Sequence, residues 1–383
     1  MTEIRFVNAA VVTPDAVNNG GVIISGGRIA SVEPSLGPHG ETIDLEGDYL
    51  IPGLIDIHTD NLERHYEPRP DVRWDALGAV LAHDGQMACA GITTVFDSIA
   101  LHGHEKSIDR STALMPMVSS LQAASEENIL RAEHFLHLRC EVRNPKLIPT
   151  LEMHLDNPLL KLLSVMDHTP GQRQYRNLDA AEIRRRALAM GHAATDVEDV
   201  VDGWRNRQTS EMATDNWRAV VDIARERGLP LATHDDENED HIRQADEDGA
   251  LISEFPVTIE AAIEARRRGI AVFMGAPNLI RGGSHSGNVS AAEIVTAGAL
   301  DGFASDYIPM SMLRAAFRLT EAPFMLPLPA AIATVTAAPA RVTKLDDRGE
   351  IAPGKRADLV RVALSEDGWP VVHGVWREGR RVA

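Results

Sequence analysis

Histidines and carboxylates stand where several short apolar runs of this chain stop. "GLIDIHTD" ends in His58 and Asp60, "HFLHLRCEV" carries His137, Arg139 and Glu141, and "LLKLLSVMDH" closes on His168. "LPLATHDDE" contains His234, "LISEFPVT" contains Glu254 and "GFASDYIP" contains Asp306. One polar residue at the end of an apolar run is ordinary loop chemistry. Six such ends converging would be different, because carboxylates packed together without a cation repel and must protonate. A divalent ion, or a pair of them, removes that conflict. Mixed His/carboxylate ligation suits Zn²⁺ or Mn²⁺ and leaves positions open for water. The chain has no G-x-S-x-G elbow and no well-placed cysteine, so metal-activated water is the simplest nucleophile. Asp306 is then the natural acceptor of its proton. Lys161 lies at the wrong end of its run to bridge two ions, which makes Glu141 the better bridging candidate.

A second constellation supplies hydrogen-bond donors. In "GAPNLIRGGSHSGN", residues 275–288, Gly282, Gly283 and Gly287 permit close backbone approach, while Arg281, Ser284, His285, Ser286 and Asn288 carry donor groups. Such loops bind phosphate oxygens, and barrel phosphate sites often follow the seventh and eighth strands. A tight turn without a ligand is the plainer reading of the same glycines. Arg69 in "PRP" and Arg173 in "HTPGQRQ" sit beyond other run ends, and Arg139 adds a guanidinium within one. Several arginines in one cleft point to an anionic substrate, with more than one phosphate expected.

Positioning these groups requires a scaffold that presents many strand ends on one face. Eight apolar runs fit that need: 53–58, 91–100, 134–142, 159–168, 229–237, 251–258, 270–278 and 302–309. They are separated mostly by helical patterns such as 210–228 and 258–269, which predicts a parallel (β/α)₈ barrel over about 51–344. The interval 175–228 reads as two or three charged helices inserted after the fourth strand. Residues 1–50 and 345–383 read as short β elements punctuated by glycine and proline, hairpins in the first segment. The two ends are expected to pair into one small composite β-sandwich domain.

Composition narrows the class. The chain has 383 residues, 44% hydrophobic and 25% charged, enough for a large core. A formal net charge of −18 argues against nucleic acid as a partner, though it leaves room for a small anion in a local arginine-rich pocket. No stretch approaches a membrane span, no leader pattern opens the sequence, and two cysteines, Cys89 and Cys140, make no disulfide framework. A cytoplasmic enzyme acting on a small molecule, with self-association open, is the expectation.

"PGLIDIHTD" followed much later by "GEIAPGKRADLV" resembles the amidohydrolase superfamily. Within it, "HTDNLERHYEPRP", "HLHLRCE", "SVMDHTPGQRQ", "THDDE", "EFPVT", "MGAPNLIRGGSHSGN" and "SDYIP" are similar to the diphosphatases of the carbon–phosphorus lyase pathway. The resemblance implies a metal-dependent phosphohydrolase, cleaving alpha-D-ribose 1-methylphosphonate 5-triphosphate to the 5-phosphate and pyrophosphate. It implies a metal centre of His58, Asp60, Glu141, His168, His234 and Asp306. Substrate contacts are expected from Arg69, Arg139, Arg173, Glu254, Asn278, Arg281, Ser284, His285, Ser286 and Asn288. The superfamily's usual sixth-strand histidine is absent, and Glu254 stands there as ligand, supporting residue or ribose contact. An ordinary amidohydrolase acting on a cyclic amide or N-acetyl sugar, or a non-catalytic scaffold, is the rival expectation.

Overall fold

The computed structural model describes residues 3–34, 40–69, 72–101, 110–168, 172–176, 184–185, 197, 211–284 and 287–383. Eight strands form one parallel sheet in chain order: β6 (Leu54–Thr59), β7 (Ile92–Leu101), β8 (Glu133–Glu141), β9 (Leu160–Met166), β10 (Leu231–His234), β11 (Ile252–Glu254), β12 (Ala271–Gly275) and β13 (Gly302–Ala304). The strands before these are β1 (Glu3–Val12), β2 (Val17–Ser25), β3 (Arg28–Glu33), β4 (Glu41–Asp44) and β5 (Tyr49–Pro52). Each expected barrel run thus contains a strand, though β10, β11 and β13 are only three or four residues long. The helices Glu211–Arg227 and Ile259–Arg267 occupy the two intervals named above. Most of the charged insertion lies outside the described residues.

The sheet closes into a barrel at the seam between β13 and β6. At the upper end, Asp306 N donates to His58 O (3.0 Å) and Asp60 N donates to Asp306 O (2.8 Å). At the lower end the chain at Thr334 and Val335 wedges between the two strands. Phe303 N donates to Thr334 O and Ile55 N donates to Val335 O. Gly302 makes that wedge possible, since a Cβ there would lie 2.7 Å from Thr334 O. Inside the barrel, Ile55, Ile57, Phe96, Phe135, Leu162, Ile252 and Phe273 pack with Ala338, Ala340 and Val342, which plug the bottom. A larger apolar layer, including Val95, Leu136, Leu138, Val165 and Val272, fills the space between strands and helices. Alternate residues of β8 thus serve different layers, as the two-residue period requires.

The chain ends share a second sheet. The remaining strands are β14 (Leu359–Leu364), β15 (Pro370–Arg377) and β16 (Arg380–Arg381), and the sheet order is β16-β15-β14-β5-β1-β2-β3 with β4 also on β1. The joint between the two ends is the antiparallel pair β5–β14, with Ile51 opposite Val360. β1, β2 and β3 form the expected hairpins. The segment "TIDLEGDYLIPG" does not: β4 and β5 both run parallel to β1. Glu46 (φ 57°) and Gly47 (φ 90°) step the chain sideways without reversing it, and Leu45 N and Gly47 N donate to the β1 carbonyls of Val7 and Asn8.

A buried ionic cluster ties the C-terminal segment to the bottom of the barrel. Arg348 and Arg356, 7% and 6% exposed, both donate to Glu133 at the start of β8. Arg356 also pairs with Asp358 at 2.5 Å. Removing the shared carboxylate takes one partner from each buried guanidinium, leaving Arg356 to Asp358 and Arg348 to Asp347. Glu133→Ala should lower unfolding free energy by about 3 kcal/mol, read from denaturant melts. That lies at the low end for a broken buried pair because Glu133 keeps 34% of its side chain in solvent.

Candidate active site

The upper ends of the strands carry the polar groups. β6 has a register shift between Asp56 and Thr59, so simple alternation does not place its side chains. Asp56 turns into the seam, where Oδ1 accepts from Ser305 N (3.0 Å), and burial pushes its carboxyl up to about 6. His58 is 1% exposed at the strand end. Its Nε2 faces Asp60 Oδ1 at 3.7 Å and its Nδ1 faces Glu254 Oε1 at 3.2 Å. Three residues just past strand ends, Asp235, Phe255 and Asp306, have φ of 55–56°. This left-handed conformation is uncommon away from glycine and concentrates at functional sites. Each of these residues donates its N–H across to the next strand, at Glu254 O, Phe273 O and His58 O respectively, so the turn keeps the ladder bonded while redirecting the side chain.

The six residues expected to form a metal centre gather at this mouth. Glu141 ends β8 and accepts from His168 Nδ1 at 2.7 Å, although His168 lies two residues beyond β9. His168 Nε2 faces Asp235 Oδ2 at 3.6 Å, and His234 Nδ1 donates to the same oxygen at 2.7 Å. The His58 and His234 rings are 5.6 Å apart and those of His168 and His234 are 5.9 Å apart. Phe255 packs its ring against both His58 and His234. The Asp306 carboxyl is raised from its ordinary value, by burial first and then by Asp60.

The charge balance of these groups fits a bound cation. Burial by itself would lower His58 and His168, yet Glu254 and Asp60 around one, and Asp235 and Glu141 around the other, carry both up to about 9. Burial would raise Asp60 and Asp235, but Arg139 with His58, and His234 with His168, hold these carboxyls well below the usual range. His234 Nε2 is buried with no hydrogen-bond partner among the described residues, and His58 Nδ1 and the Glu254 oxygens meet only as ion pairs, at 3.2 Å to each other and 3.8 Å to His137. Buried polar atoms short of hydrogen bonds are costly, and a set of them on histidine and carboxylate side chains could hold a divalent metal ion. The His234 Nδ1–H···Asp235 bond leaves Nε2 able to ligate, the arrangement by which a carboxylate can orient a metal-binding histidine. Asp235 was legible only as the first aspartate of "THDDE"; its role needs the left-handed turn that swings it back onto His234 and His168.

Several expected substrate contacts are placed differently. Glu254 is fully buried between His58 Nδ1 (3.2 Å) and His137 Nε2 (3.8 Å), level with His234 across the β10–β11 ladder. Arg173 is 5% exposed and committed to the protein, donating to Asp236 Oδ1 and His234 O, both at 2.9 Å. Asn278 staples its own loop by accepting from Ala291 N and donating to Val289 O. Arg139 donates to Asp60 Oδ1 at 2.6 Å. Arg69 and Arg281 are exposed, and Ser284 and Asn288 are half-buried in the glycine-rich loop. His285 and Ser286 lie outside the described residues.

One buried cluster was not anticipated. His83 and His134 flank Asp97: His83 Nε2 donates to Oδ1 (2.7 Å) and His134 Nδ1 donates to Oδ2 (2.8 Å). His134 Nε2 continues to Asp84 at 3.3 Å, and Asn61 Nδ2 donates to His83 Nδ1 at 3.2 Å. The donor spacing could hold a metal. Direct His–Asp hydrogen bonds already satisfy it, and it lies between strands and helices, so it reads as an ionic staple joining the helix Ala76–Cys89 to β7 and β8.

A family model for the amidohydrolase family matches residues 49–382. This chain belongs to the amidohydrolase family. It is 39% identical over 379 residues to the alpha-D-ribose 1-methylphosphonate 5-triphosphate diphosphatase of Escherichia coli (strain K12), covering 98% of this chain and 99% of that protein. Solved structures of similar fold include 5-methylcytosine deaminase from Klebsiella pneumoniae (TM-score 0.67, 15% identity, 99% and 98% of the two chains). Another is N-acetylglucosamine-6-phosphate deacetylase from Pasteurella multocida (TM-score 0.62, 15% identity, 99% of each chain). Both support the barrel-plus-sandwich fold and carry no argument on substrate. Among the described residues no helix is long and apolar enough to cross a membrane.

The buried staple has a pH signature. Burial pushes His134 down, but Asp97 and Asp84 override it and bring the imidazole up to about 9, against ~6.5 when unfolded. A raised folded-state value means that its stabilisation is complete below pH ~6.5 and fades as pH rises through about 9. The melting-temperature gap between wild type and His134→Gln should therefore be widest near pH 6 and narrow markedly by pH 9.5, measured by thermal melts across that range.

Proposed function

We propose that this protein hydrolyses alpha-D-ribose 1-methylphosphonate 5-triphosphate to the corresponding 5-phosphate and pyrophosphate, using a divalent-metal centre at the barrel mouth. The observation that carries the reading is the full-length similarity to the Escherichia coli diphosphatase, joined to a buried set of histidines and carboxylates at the barrel mouth that includes a His234 Nε2 without a hydrogen-bond partner among the described residues. We place the centre on His58, Asp60, Glu141, His168, His234 and Asp306. When bound, Zn²⁺ or Mn²⁺ there would acidify a water molecule and offset phosphate charge. A cytoplasmic setting goes with this metabolic role.

The chain's own residues supply the rest. Asp306, with a carboxyl more basic than usual, is suited to take the proton from the attacking water. Its backbone is fixed by the seam bonds to His58 and Asp60, so the carboxylate is held at a constant position relative to the donors. Arg281 and the half-buried Ser284 and Asn288 follow β12 at the rim, where they can grip phosphate oxygens beyond the reacting bond. His285 and Ser286 belong to the same proposed loop, and exposed Arg69 offers a second cation from the β6 side. Charge neutralisation on the departing pyrophosphate is the largest contribution such donors make to phosphoryl transfer.

Pyrophosphate release from the ribose 5-triphosphate substrate, compared with turnover of dihydrouracil and N-acetylglucosamine 6-phosphate, tests the assignment. Pyrophosphate release is expected, and turnover of the amides alone would refute it. Asp306→Asn should retain the fold by circular dichroism and lower kcat by about 10²–10⁴-fold, the usual contribution of a general base. Arg281→Ala should raise KM while metal content, read by elemental analysis, stays at the wild-type value.

A further inference from the structure

We propose that Asn61 is a positioning residue for Asp60: anchored to the helix Ala76–Cys89, it keeps the Asp60 carboxylate out of the helix cap that it would otherwise fill and turned into the mouth. This rests on the reading of Asp60 as part of the metal centre. It gives a task to the one residue of "HTDN" beyond Thr59 that neither the ligand set nor the substrate contacts use.

Asp60 stands at the N-cap of the six-residue helix Asn61–Tyr66. An aspartate at that place ordinarily bonds the free N–H groups of the first turn. This one makes no such bond; its Oδ1 instead accepts from Arg139 at 2.6 Å and faces His58 Nε2 at 3.7 Å. Its backbone, at φ −89° and ψ 8°, lies in the sparsely used bridge region and not in the extended conformation of an ordinary N-cap. The residues on either side are fixed by other bonds. Thr59 N donates to Ser98 Oγ on β7 at 3.2 Å, and Thr59 Oγ1 accepts from Asn61 N at 3.3 Å.

Asn61 is 4% exposed, and its amide reaches across to the neighbouring helix. Nδ2 donates to Gln86 Oε1 at 2.8 Å and to His83 Nδ1 at 3.2 Å. His65, one turn further along the short helix, donates Nε2–H to the same Gln86 oxygen at 2.9 Å. Residues 61 and 65 thus meet residues 83 and 86, spacings that each keep two side chains on one helix face. His83 Nε2 donates to Asp97 Oδ1 at 2.7 Å, and burial holds the imidazole below its ordinary value, so Nδ1 is left as an acceptor for the amide. Asp97 is in turn the β7 partner of Thr59. The buried staple therefore grips the chain immediately before and immediately after Asp60. Released from His83 and Gln86, the first turn is free to relax to ordinary cap geometry, in which Asp60 bonds Glu63 N and leaves the mouth.

The test combines Zn²⁺ affinity of the full chain, from competition with a chromophoric chelator, with steady-state pyrophosphate release. Asn61→Ala and Gln86→Leu should each weaken Zn²⁺ binding and lower kcat by roughly 10–100-fold, the usual cost of losing the support behind a metal ligand. KM should stay near the wild-type value, because the glycine-rich loop is untouched. Gln86→Glu keeps the acceptor oxygen and should retain both affinity and kcat. Glu133→Ala loosens the barrel bottom without touching this helix pair and should also leave both unchanged, which separates positioning from general loss of stability. A crystal structure of Asn61→Ala should show Asp60 bonded to Glu63 N. If Asn61→Ala does not fold, Gln86→Leu, at a half-buried position, carries the test. Wild-type affinity and kcat in the folded variants, an unmoved Asp60, or equal losses in Glu133→Ala would overturn the inference. Wild type that neither binds Zn²⁺ nor releases pyrophosphate would instead overturn the metal-dependent reading beneath it.

Discussion

The closure of the barrel between its first and last strands is the constraint on which the site depends. β13 is three residues long, too short to form a full ladder with β6, and the seam is completed by substitutes. Carbonyls at Thr334 and Val335 serve its lower half, while the backbone of Asp306 serves the upper half by bonding both His58 and Asp60. Asp56 contributes a carboxylate oxygen to Ser305 N where the strands part. The proposed base and two of the proposed ligands are therefore held by the bonds that close the fold. Loosening the seam would displace them together.

Burial of charge is the second theme. Among the described residues, charged groups are buried at the mouth, in the His83–Asp97–His134 staple and in the Arg348–Glu133–Arg356 cluster, besides the Arg173–Asp236 pair. In the staple and the cluster every carboxylate meets a cation or a hydrogen-bond donor within the protein, as buried charges must. At the mouth the hydrogen bonding is incomplete: His234 Nε2 has no partner among the described residues, and Glu254 meets His58 and His137 only as ion pairs. That difference separates polar groups that stabilise the fold from those available for chemistry. Similarity in residue type does not reveal it, because all three places draw on the same few side chains.

The site also combines rigid and strained elements. Strand ends supply His58, Glu141 and His234 from a packed barrel, while left-handed turns at Asp235 and Asp306 aim two further carboxylates inward. The strain at these turns is offset by the N–H bonds they make to neighbouring strands. Preorganised donors of this kind do not have to reorganise as charge develops on a reacting phosphate.

The order of the eight strands, the pairing of the chain ends and the six strand-end ligand candidates were legible in the sequence. Hydrophobic run lengths and polar stops record which segments must be buried and which must end at a rim. Three kinds of information were not there to be read. Register shifts such as that between Asp56 and Thr59 change which face a residue serves, and they arise from pairing with a neighbouring strand. Burial decided that Glu254 is enclosed between His58 and His137, and burial depends on which strands come to surround each residue. The partner of a charged group was equally hidden: Arg139 and Arg173 resemble substrate-binding arginines until Asp60 and Asp236, distant in sequence, come to face them. The sequence by itself determined which residues could do metal and phosphate chemistry. Only the tertiary structure decided which of them are left free to do it, because ion pairing between buried charges is settled by distances that no local pattern encodes.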